Sequence, residues 1–175
     1  MALEIERRFL VAGEAWRGQI AWQARLQQGY LSASAGGFTT RVRSDGAGGA
    51  WLTLKCAAAG QGPVVRHEFE YPIPPADAEA LLQLSPQRLS KWRHGLELPG
   101  GEWVLDVFEG ANAPLVIAEV ELSAADQTPP VPPWCVLEIT GQGRFSNAAL
   151  AGRPWQAWAA SERQAILQQA GISVL

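Results

Sequence analysis

Cysteine is scarce in this sequence: Cys56 and Cys135 are the two present among 175 residues. They have neither the spacing of a zinc knuckle nor the density of a disulfide-stapled secreted domain, so we expect two free and mostly buried thiols. No apolar run approaches the roughly 20 residues that a bilayer-spanning helix needs. The charged N-terminal stretch also lacks the apolar core of a signal peptide. We therefore expect a cytoplasmic protein that does not associate with membranes.

An excess of positive charge is also missing. The formal net charge is −3, so the chain has no global field that would attract nucleic acid or a membrane surface. A local basic site is still compatible with this charge. The hydrophobic content of 47% and the length are enough for one well-buried core, and we expect a single domain over residues 1–175.

Two further motifs are absent. The histidines His67 and His94 are too far apart in the sequence to form a metal-spaced pair. No segment resembles the GxSxG turn of serine hydrolases. Nucleophilic serine chemistry and a histidine-based metal site are therefore not supported by the sequence.

What recurs along the chain is a short segment of alternating apolar and polar residues, bounded by Gly, Pro, Asn and Asp clusters. Pro75 to Leu84 reads as a helix with proline in its first turn, and a second helix is expected from Ser161 to Gln169, ended by Gly171. Hairpin connections are expected at 44–49 and 99–101. Eight strands are predicted, at 3–11, 25–31, 38–43, 51–56, 64–71, 88–94, 103–109 and 115–122.

We therefore expect a mainly β fold (α+β): an eight-stranded antiparallel barrel or tunnel, closed or nearly closed, with a few flanking helices. Closure removes the exposed sheet edges that would otherwise favour aggregation. Because successive side chains of a strand point to opposite faces, the first strand separates its residues sharply. Ile5, Phe9 and Val11 share one face, whereas Glu4, Glu6 and Arg8 share the other.

The same alternation of charge appears in later strands. One interpretation is an ordinary sheet with one solvated face, which is common in antiparallel sheets. Against it, these positions are almost all Glu or Arg in a chain with only 18% charged residues, and both lysines of the chain also fall in predicted strands. The charges on one face of their strands are Arg41 with Arg43, Arg66 with Glu68 and Glu70, Lys91 with Arg93, and Glu119 with Glu121.

Carboxylates and guanidinium groups on one concave surface suit a particular ligand. Hard divalent cations such as Mg²⁺ take oxygen ligands, and Arg and Lys match phosphoryl oxygens in charge. A lining with both would hold a metal-complexed polyanion, and phosphoryl transfer depends mostly on such positioning and charge neutralisation.

Eight short segments follow one another along the chain in an order that is specific as a set: Glu4 to Arg8, Gln28 to Leu31, Thr40 to Arg43, Leu52 to Lys55, Arg66 to Glu70, Lys91 to Arg93, Leu105 to Phe108 and Ala118 to Glu121. In these segments the sequence resembles the CYTH family of triphosphate tunnel metalloenzymes, and it is most similar to the bacterial inorganic triphosphatase branch of that family. The resemblance covers about residues 1–150 and leaves 151–175 as a C-terminal helical extension.

The resemblance implies a charged tunnel that hydrolyses or cyclises triphosphate compounds with Mg²⁺ or Mn²⁺. It also implies residue roles: Glu4, Glu6, Glu119 and Glu121 for the metal; Arg8, Lys91 and Arg93 as catalytic residues; Arg41, Arg43, Lys55, Arg66 and Arg144 for substrate; and Glu68, Glu70 and Asp106 in support.

The sequence departs from the family pattern at three positions. Arg8 replaces the lysine of the N-terminal signature, and Gly143 and Phe145 replace a lysine and a tyrosine in a late motif. The expected partner is a small molecule that contains a triphosphate, bound by a monomer or a homodimer. Inorganic triphosphate is the first candidate. The alternatives are a class IV adenylate cyclase, a thiamine or nucleoside triphosphatase, and a non-catalytic tunnel that binds polyphosphate or nucleotide.

Overall fold

The computed structural model describes residues 3–33, 38–57 and 65–172. These residues form an antiparallel β structure with short helices. The strands are β1 Leu3–Val11, β2 Ile20–Ala33, β3 Thr39–Ser44, β4 Ala50–Ala57, β5 Val65–Pro72, β6 Gln87–Leu96, β7 Glu102–Phe108, β8 Val116–Glu121 and β9 Cys135–Glu138. The α-helices are α1 Pro75–Leu84, α2 Asn147–Gly152 and α3 Ala160–Gln169.

Eight of the strands close into a barrel. Their order is β5-β4-β3-β2-β6-β7-β8-β1, and β1 also pairs with β5, with Glu4 opposite Arg66. The predicted eight-stranded antiparallel closed barrel is therefore confirmed. Because closure joins both edges of the sheet, every second residue of each strand faces an enclosed interior.

A ninth strand, β9, lies beside β1 and was not predicted. The two ends of β1 have different neighbours: Leu3 to Ile5 pair with β5, and Phe9 to Val11 pair with β9. On the outside of the barrel, the guanidinium of Arg7 contacts the Glu138 carboxylate of β9 at 2.6 Å. The adjacent residues Arg7 and Arg8 therefore point to opposite faces of β1, which explains why only one of them belongs to the charged interior.

Most predicted element boundaries are close to the observed ones. Helix α1 has the predicted bounds, and α3 begins at Ala160, one residue early. In α3 the Glu162 carboxylate accepts a hydrogen bond from the Ala159 backbone N–H at 2.9 Å. Strand β2 is longer than predicted and has 14 residues, and the short helix α2 was not predicted. Val64, at the start of a predicted strand, lies outside the described residues. Within the described residues no helix is long and apolar enough to cross a membrane.

Three hydrophobic clusters pack on the barrel, and the smallest joins Val42 and Ala50 to Ala78 of α1. Of the two larger clusters, one covers the outer face of β1, β7 and β8 and includes Phe9, Trp103 and Val120. The other lies at one end of the interior, where Leu10, Phe108 and Ile117 from the strands meet aromatic residues of the C-terminal segment: Phe145, Trp155 and Trp158.

This second cluster closes one end of the barrel. The Trp155 and Trp158 ring centroids are 5.0 Å apart, and the rings of Phe145 and Trp158 are 5.2 Å apart. Each fully buried large apolar side chain stabilises the fold by about 1.5–3 kcal/mol relative to an exposed one. The C-terminal segment is therefore part of the barrel core, and we call the end that it covers the closed end.

Gly29 shows how tightly helix α1 packs on the outside of β2. A Cβ atom at Gly29 would lie 2.4 Å from Ser85 Oγ and 3.2 Å from a Leu82 methyl carbon. Ser85 is buried, and its hydroxyl donates to the Leu81 carbonyl at 2.8 Å, so it has little freedom to move. We expect Gly29→Ala to lower the free energy of unfolding by about 1–3 kcal/mol, the usual cost of overpacking.

Chemical denaturation measures this change. Gly18→Ala is the matched control, because a Cβ atom there meets nothing within 4 Å. Equal stability of the two variants would mean that α1 does not pack against β2 as described.

Candidate active site

The charged faces of the strands converge on one cavity of about 490 Å³ in the barrel interior. Alternation along each strand and closure of the sheet together bring distant sequence positions to one surface. Twelve of the fifteen predicted site residues line this cavity: Glu4, Glu6, Arg8, Arg41, Arg43, Lys55, Arg66, Glu68, Glu70, Arg93, Glu119 and Glu121.

The three other predicted residues lie elsewhere. Lys91 and Asp106 are buried beneath the lining, with 0% and 1% of their surface exposed. Arg144 is exposed outside the cavity, where its guanidinium donates to Gln142 and lies 5.6 Å from the Trp158 ring centroid. The structure therefore does not bring Arg144 to the other candidate substrate-binding residues.

A first group of ion pairs joins β1, β4 and β5. Lys55 Nζ lies 2.8 Å from Glu4 Oε1 and 3.0 Å from Glu68 Oε2. Arg66 contacts the carboxylate of Glu4 at 3.1 Å and also that of Glu6. The carboxylates that the sequence assigned to metal binding are therefore already in contact with the cations assigned to substrate.

The second group lies on three adjacent strands, where Arg41 of β3 is opposite Thr53 of β4, and Thr53 is opposite Glu70 of β5. The Thr53 hydroxyl donates to Glu70 Oε2 at 2.6 Å and accepts from Arg41 at 3.1 Å. Arg43 reaches the other Glu70 oxygen at 2.7 Å. Both Glu70 oxygens are satisfied, so this wall is held rigidly by charge-assisted hydrogen bonds.

A third group is the most buried. Arg93 makes a bidentate pair with Asp106 at 2.8 and 2.7 Å and also contacts Glu119 at 2.8 Å. Arg8 Nε lies 3.0 Å from the other Glu119 oxygen, and Lys91 Nζ lies 2.5 Å from Asp106 Oδ2. The fork of a guanidinium suits such bidentate contacts, which fix both charge and geometry.

The formal charges of the interior balance when Glu121, which belongs to none of the three groups, is counted with them. In the described part of the chain, the interior and its immediate support contain seven basic and seven acidic side chains: Arg8, Arg41, Arg43, Lys55, Arg66, Lys91 and Arg93 against Glu4, Glu6, Glu68, Glu70, Asp106, Glu119 and Glu121. Removing charges from water is costly unless they are paired, so this balance is what makes the interior stable.

The pKa values separate the carboxylates into two kinds. Burial raises the pKa of Glu4, but Lys55 and Arg66 more than offset it and bring the value down to about 2. Burial likewise opposes ionisation of Glu119, yet Arg8 and Arg93 hold its pKa well below the usual range. For Glu6, burial and the negative charges of Glu119 and Glu4 together raise the pKa to about 7.

The basic residues of the third group also differ. Burial lowers the pKa of Lys91 to about 8, with the Asp106 carboxylate acting in the opposite direction. Arg93 stays charged, because Asp106 and Glu119 outweigh its burial and raise its pKa. Lys91 is therefore charged at neutral pH and loses its proton more easily than an exposed lysine.

The donor set of the cavity fits a hard divalent cation. Glu4, Glu6 and Glu119 supply oxygen atoms, and the charges of Glu119 and Glu4 add to burial in raising the pKa of Glu6. Among the described residues, no group of three or more acidic, histidine or cysteine side chains stands at metal-binding spacing. The oxygens of Glu4 and Glu119 take part in ion pairs with the basic lining.

Several lining residues do not stand out from the sequence pattern. The closed end is lined by Ser146, Asn147 and Ala148, next to Tyr30 from β2. Tyr30 has no charged neighbour on its own strand face, but it lies opposite Arg41 on β3. The register between β2 and β3 therefore identifies Tyr30 as a cavity residue, whereas the alternation along β2 alone does not. Burial raises its pKa to about 12.

Comparison with known proteins agrees with this geometry. The CYTH domain model matches residues 2–148. The chain belongs to the CYTH family. Membership in this family of triphosphate tunnel metalloenzymes implies a divalent metal ion.

Individual relatives cover nearly the whole CYTH chain. An inorganic triphosphatase of Acetivibrio thermocellus is 33% identical over 158 residues, which is 89% of this chain and 97% of that protein. An inorganic triphosphatase of Nitrosomonas europaea is 35% identical over 152 residues, 85% of this chain and 96% of that protein. A crystal structure of an inorganic triphosphatase superimposes with a TM-score of 0.62 at 34% identity, covering 86% of this chain and 95% of that one.

The raised pKa of Glu6 predicts a pH-dependent stability in metal-free protein. The folded state holds this proton up to about pH 7, whereas the unfolded chain releases it near the ordinary glutamate pKa of 4.5. Stability from Glu6 is therefore lost as the pH rises from 5 to 8. Glu6→Gln has no proton to lose, so its free energy of unfolding should gain about 1–3 kcal/mol relative to wild type over that range.

Urea denaturation with a metal chelator at pH 5 and pH 8 measures the difference. Glu97→Gln, at an exposed glutamate outside the cavity, is the control. If the difference in free energy of unfolding between Glu6→Gln and wild type does not change with pH, the pKa of Glu6 is not raised by burial and neighbouring carboxylates.

Proposed function

We propose that this CYTH protein hydrolyses inorganic triphosphate, or a closely related triphosphate compound, with Mg²⁺ or Mn²⁺ in the barrel interior. The observation that carries the proposal is the enclosed cavity in which guanidinium and ammonium groups lie against carboxylates. Both curated relatives described above are inorganic triphosphatases, which supports the same assignment. We place the activity in the cytoplasm, as the composition predicts.

Four carboxylates are the proposed metal ligands: Glu4, Glu6, Glu119 and Glu121. Their oxygens match the preference of Mg²⁺ and Mn²⁺ for hard ligands. Glu121 makes no ion pair in the described part of the chain, and burial with the nearby Glu4 and Glu102 raises its pKa. When bound, a divalent ion supplies charge neutralisation at the phosphoryl oxygens and lowers the pKa of coordinated water.

The ion pairs of the barrel interior indicate how its carboxylates and cations could exchange partners when metal and substrate bind. Lys55 and Arg66 now neutralise Glu4, and Arg8 and Arg93 now neutralise Glu119. Once the carboxylates are neutralised by metal instead, these cations are free to contact phosphoryl oxygens. A polyanion and its metal would then replace a set of internal salt bridges, and the cavity would stay electrically balanced.

The basic residues then hold the triphosphate. Arg41, Arg43 and Arg93 are permanently charged and can each bind two phosphoryl oxygens. Phosphoryl transfer proceeds through a loose transition state, so a correct position and stabilised charge supply most of the catalysis. The supporting carboxylates Glu70 and Asp106 keep these forks oriented.

The lining favours a linear triphosphate over a nucleotide. Among the described residues, Tyr30 is the one aromatic side chain in the cavity wall, and it is buried. Recognition of a base usually uses exposed aromatic faces for stacking. The charged walls instead offer contacts along a chain of phosphates.

The test is product analysis with purified protein. We expect phosphate release from tripolyphosphate to require Mg²⁺ or Mn²⁺ and to exceed that from ATP and thiamine triphosphate by about tenfold or more in kcat/KM. Cyclic AMP formation from ATP would favour the cyclase alternative, and binding without turnover would favour a non-catalytic tunnel. Glu4→Gln is the negative control, expected to weaken the metal dependence more than the affinity for phosphate.

The variant Arg8→Lys tests whether turnover requires only a positive charge at position 8. The Arg8 guanidinium contacts Glu119 and the Phe145 carbonyl, and a lysine could keep the charge and the first contact. We expect Arg8→Lys to hydrolyse tripolyphosphate within about threefold of the wild-type rate, because the role is electrostatic.

Steady-state kinetics at saturating metal measure this rate. A gain of about 100-fold, worth about 2.7 kcal/mol of barrier, would mean that the native chain is impaired by its arginine. A comparable loss would mean that the second contact, to Phe145, is needed for turnover.

A further inference from the structure

The segment from Phe145 to Ala148 lies at the closed end, where Ser146, Asn147 and Ala148 line the cavity. Two buried cations from the barrel hold this segment. Arg8 donates to the Phe145 carbonyl at 3.0 Å, and Lys91 Nζ donates to Asn147 Oδ1 at 3.0 Å. The segment is therefore attached to β1 and β6 by charge-assisted hydrogen bonds as well as by apolar packing.

The contact with Lys91 determines which way the Asn147 amide faces. A charged ammonium has three donors and no acceptor, so it can accommodate the amide oxygen but not the NH₂ group. The Asn147 NH₂ must therefore point away from Lys91. The Asn147 nitrogen makes no hydrogen bond to the described part of the chain. It is also absent from the fully buried polar atoms without a partner, so it is not fully buried among the described residues. Since Asn147 lines the cavity, its two N–H donors are open to the cavity space.

Lys91 is itself held in one position. It is 0% exposed, lies 2.5 Å from Asp106 Oδ2, and its ammonium lies 5.4 Å from the centroid of the Phe108 ring. Asp106 is held in turn by the bidentate contact with Arg93. The chain of contacts from Asp106 through Lys91 to Asn147 therefore fixes the amide before any ligand arrives, and such preorganisation lowers the entropic cost of binding.

We propose that Asn147 is a substrate-contacting residue whose amide NH₂ donates to a phosphoryl oxygen at the closed end, and that Lys91 is the positioning residue that orients it. The inference rests on the proposed function. Among the preceding residues Gly143 has no side chain, Arg144 is exposed and Phe145 is buried in the aromatic cluster. Ser146 also lines the cavity, where its oxygen accepts from the Ala149 N–H at the start of α2. Asn147 is the lining residue of this segment whose side chain a buried cation holds in place.

Replacement by aspartate separates the two roles that Asn147 could have. Aspartate keeps an oxygen for Lys91 and strengthens that contact. It also replaces the NH₂ group that faces the cavity with a carboxylate oxygen, which repels phosphate. Alanine removes both contacts. A purely structural role predicts that Asn147→Asp is more active than Asn147→Ala, whereas a substrate-contacting role predicts the reverse order.

We expect kcat/KM for tripolyphosphate to fall about tenfold in Asn147→Ala and about 100-fold or more in Asn147→Asp. Thermal unfolding should show the Asp variant to be at least as stable as the Ala variant. An Asp variant equal to or more active than the Ala variant, with both folded, would overturn the inference.

A second measurement needs only the alanine variant. Tripolyphosphate with Mg²⁺ should raise the Tm of wild-type protein, and this increment should shrink in Asn147→Ala. An unchanged increment would overturn the inference even if the Asp variant did not fold. Asn112→Ala is the control. Asn112 is buried outside this cavity and is hydrogen-bonded to the backbone of Leu150 and Trp155. Its replacement should therefore lower the Tm of the free protein but leave the ligand-induced increase in Tm unchanged.

Failure of the proposed function is distinguishable. Wild-type protein that neither hydrolyses tripolyphosphate nor gains Tm with it would contradict the function itself. If tripolyphosphate raises the Tm of wild-type protein without being hydrolysed, the Tm increase in Asn147→Ala still tests whether Asn147 contacts the ligand.

Discussion

Neutralisation of buried charge is the constraint on which the rest of this structure depends. Closing eight strands into a barrel turns every second side chain inward, and in this sequence many of those side chains are ionised. An unpaired ion in such a place would cost several kcal/mol. Each interior carboxylate of the three groups therefore lies against a guanidinium or ammonium group, and the chain places basic and acidic residues on neighbouring strands to allow it.

The same constraint links stability to function. Salt bridges that stabilise the interior would also compete with a ligand for the same groups. A metal-complexed triphosphate would resolve this competition, since it brings both positive charge for Glu4 and negative charge for Lys55. Glu6 is the carboxylate at which charge is least well compensated, because burial and its carboxylate neighbours raise its pKa to about 7.

The departures from the family pattern have a common structural setting. Arg8 stands where the signature has lysine, and its fork reaches both Glu119 and the Phe145 carbonyl. Phe145 lacks the tyrosine hydroxyl and packs instead against Trp155 and Trp158. The closed end is thus held by an arginine contact and aromatic packing, and Ser146 and Asn147 are its polar side chains in the cavity wall.

The sequence by itself determined which side chains of each strand share a face, because alternation has a period of two residues and is a local property of the backbone. Glu4, Glu6 and Arg8 could be grouped that way, and so could the charged pairs of the later strands. Only the tertiary structure decided which cation meets which carboxylate, that Tyr30 faces Arg41, that Lys91 lies beneath the cavity and that Arg144 lies outside it. Register between strands and the path of the C-terminal segment depend on barrel closure and on packing between residues far apart in the chain. No local pattern encodes those contacts, so the role of Asn147 could be inferred only after the fold had placed it beside Lys91.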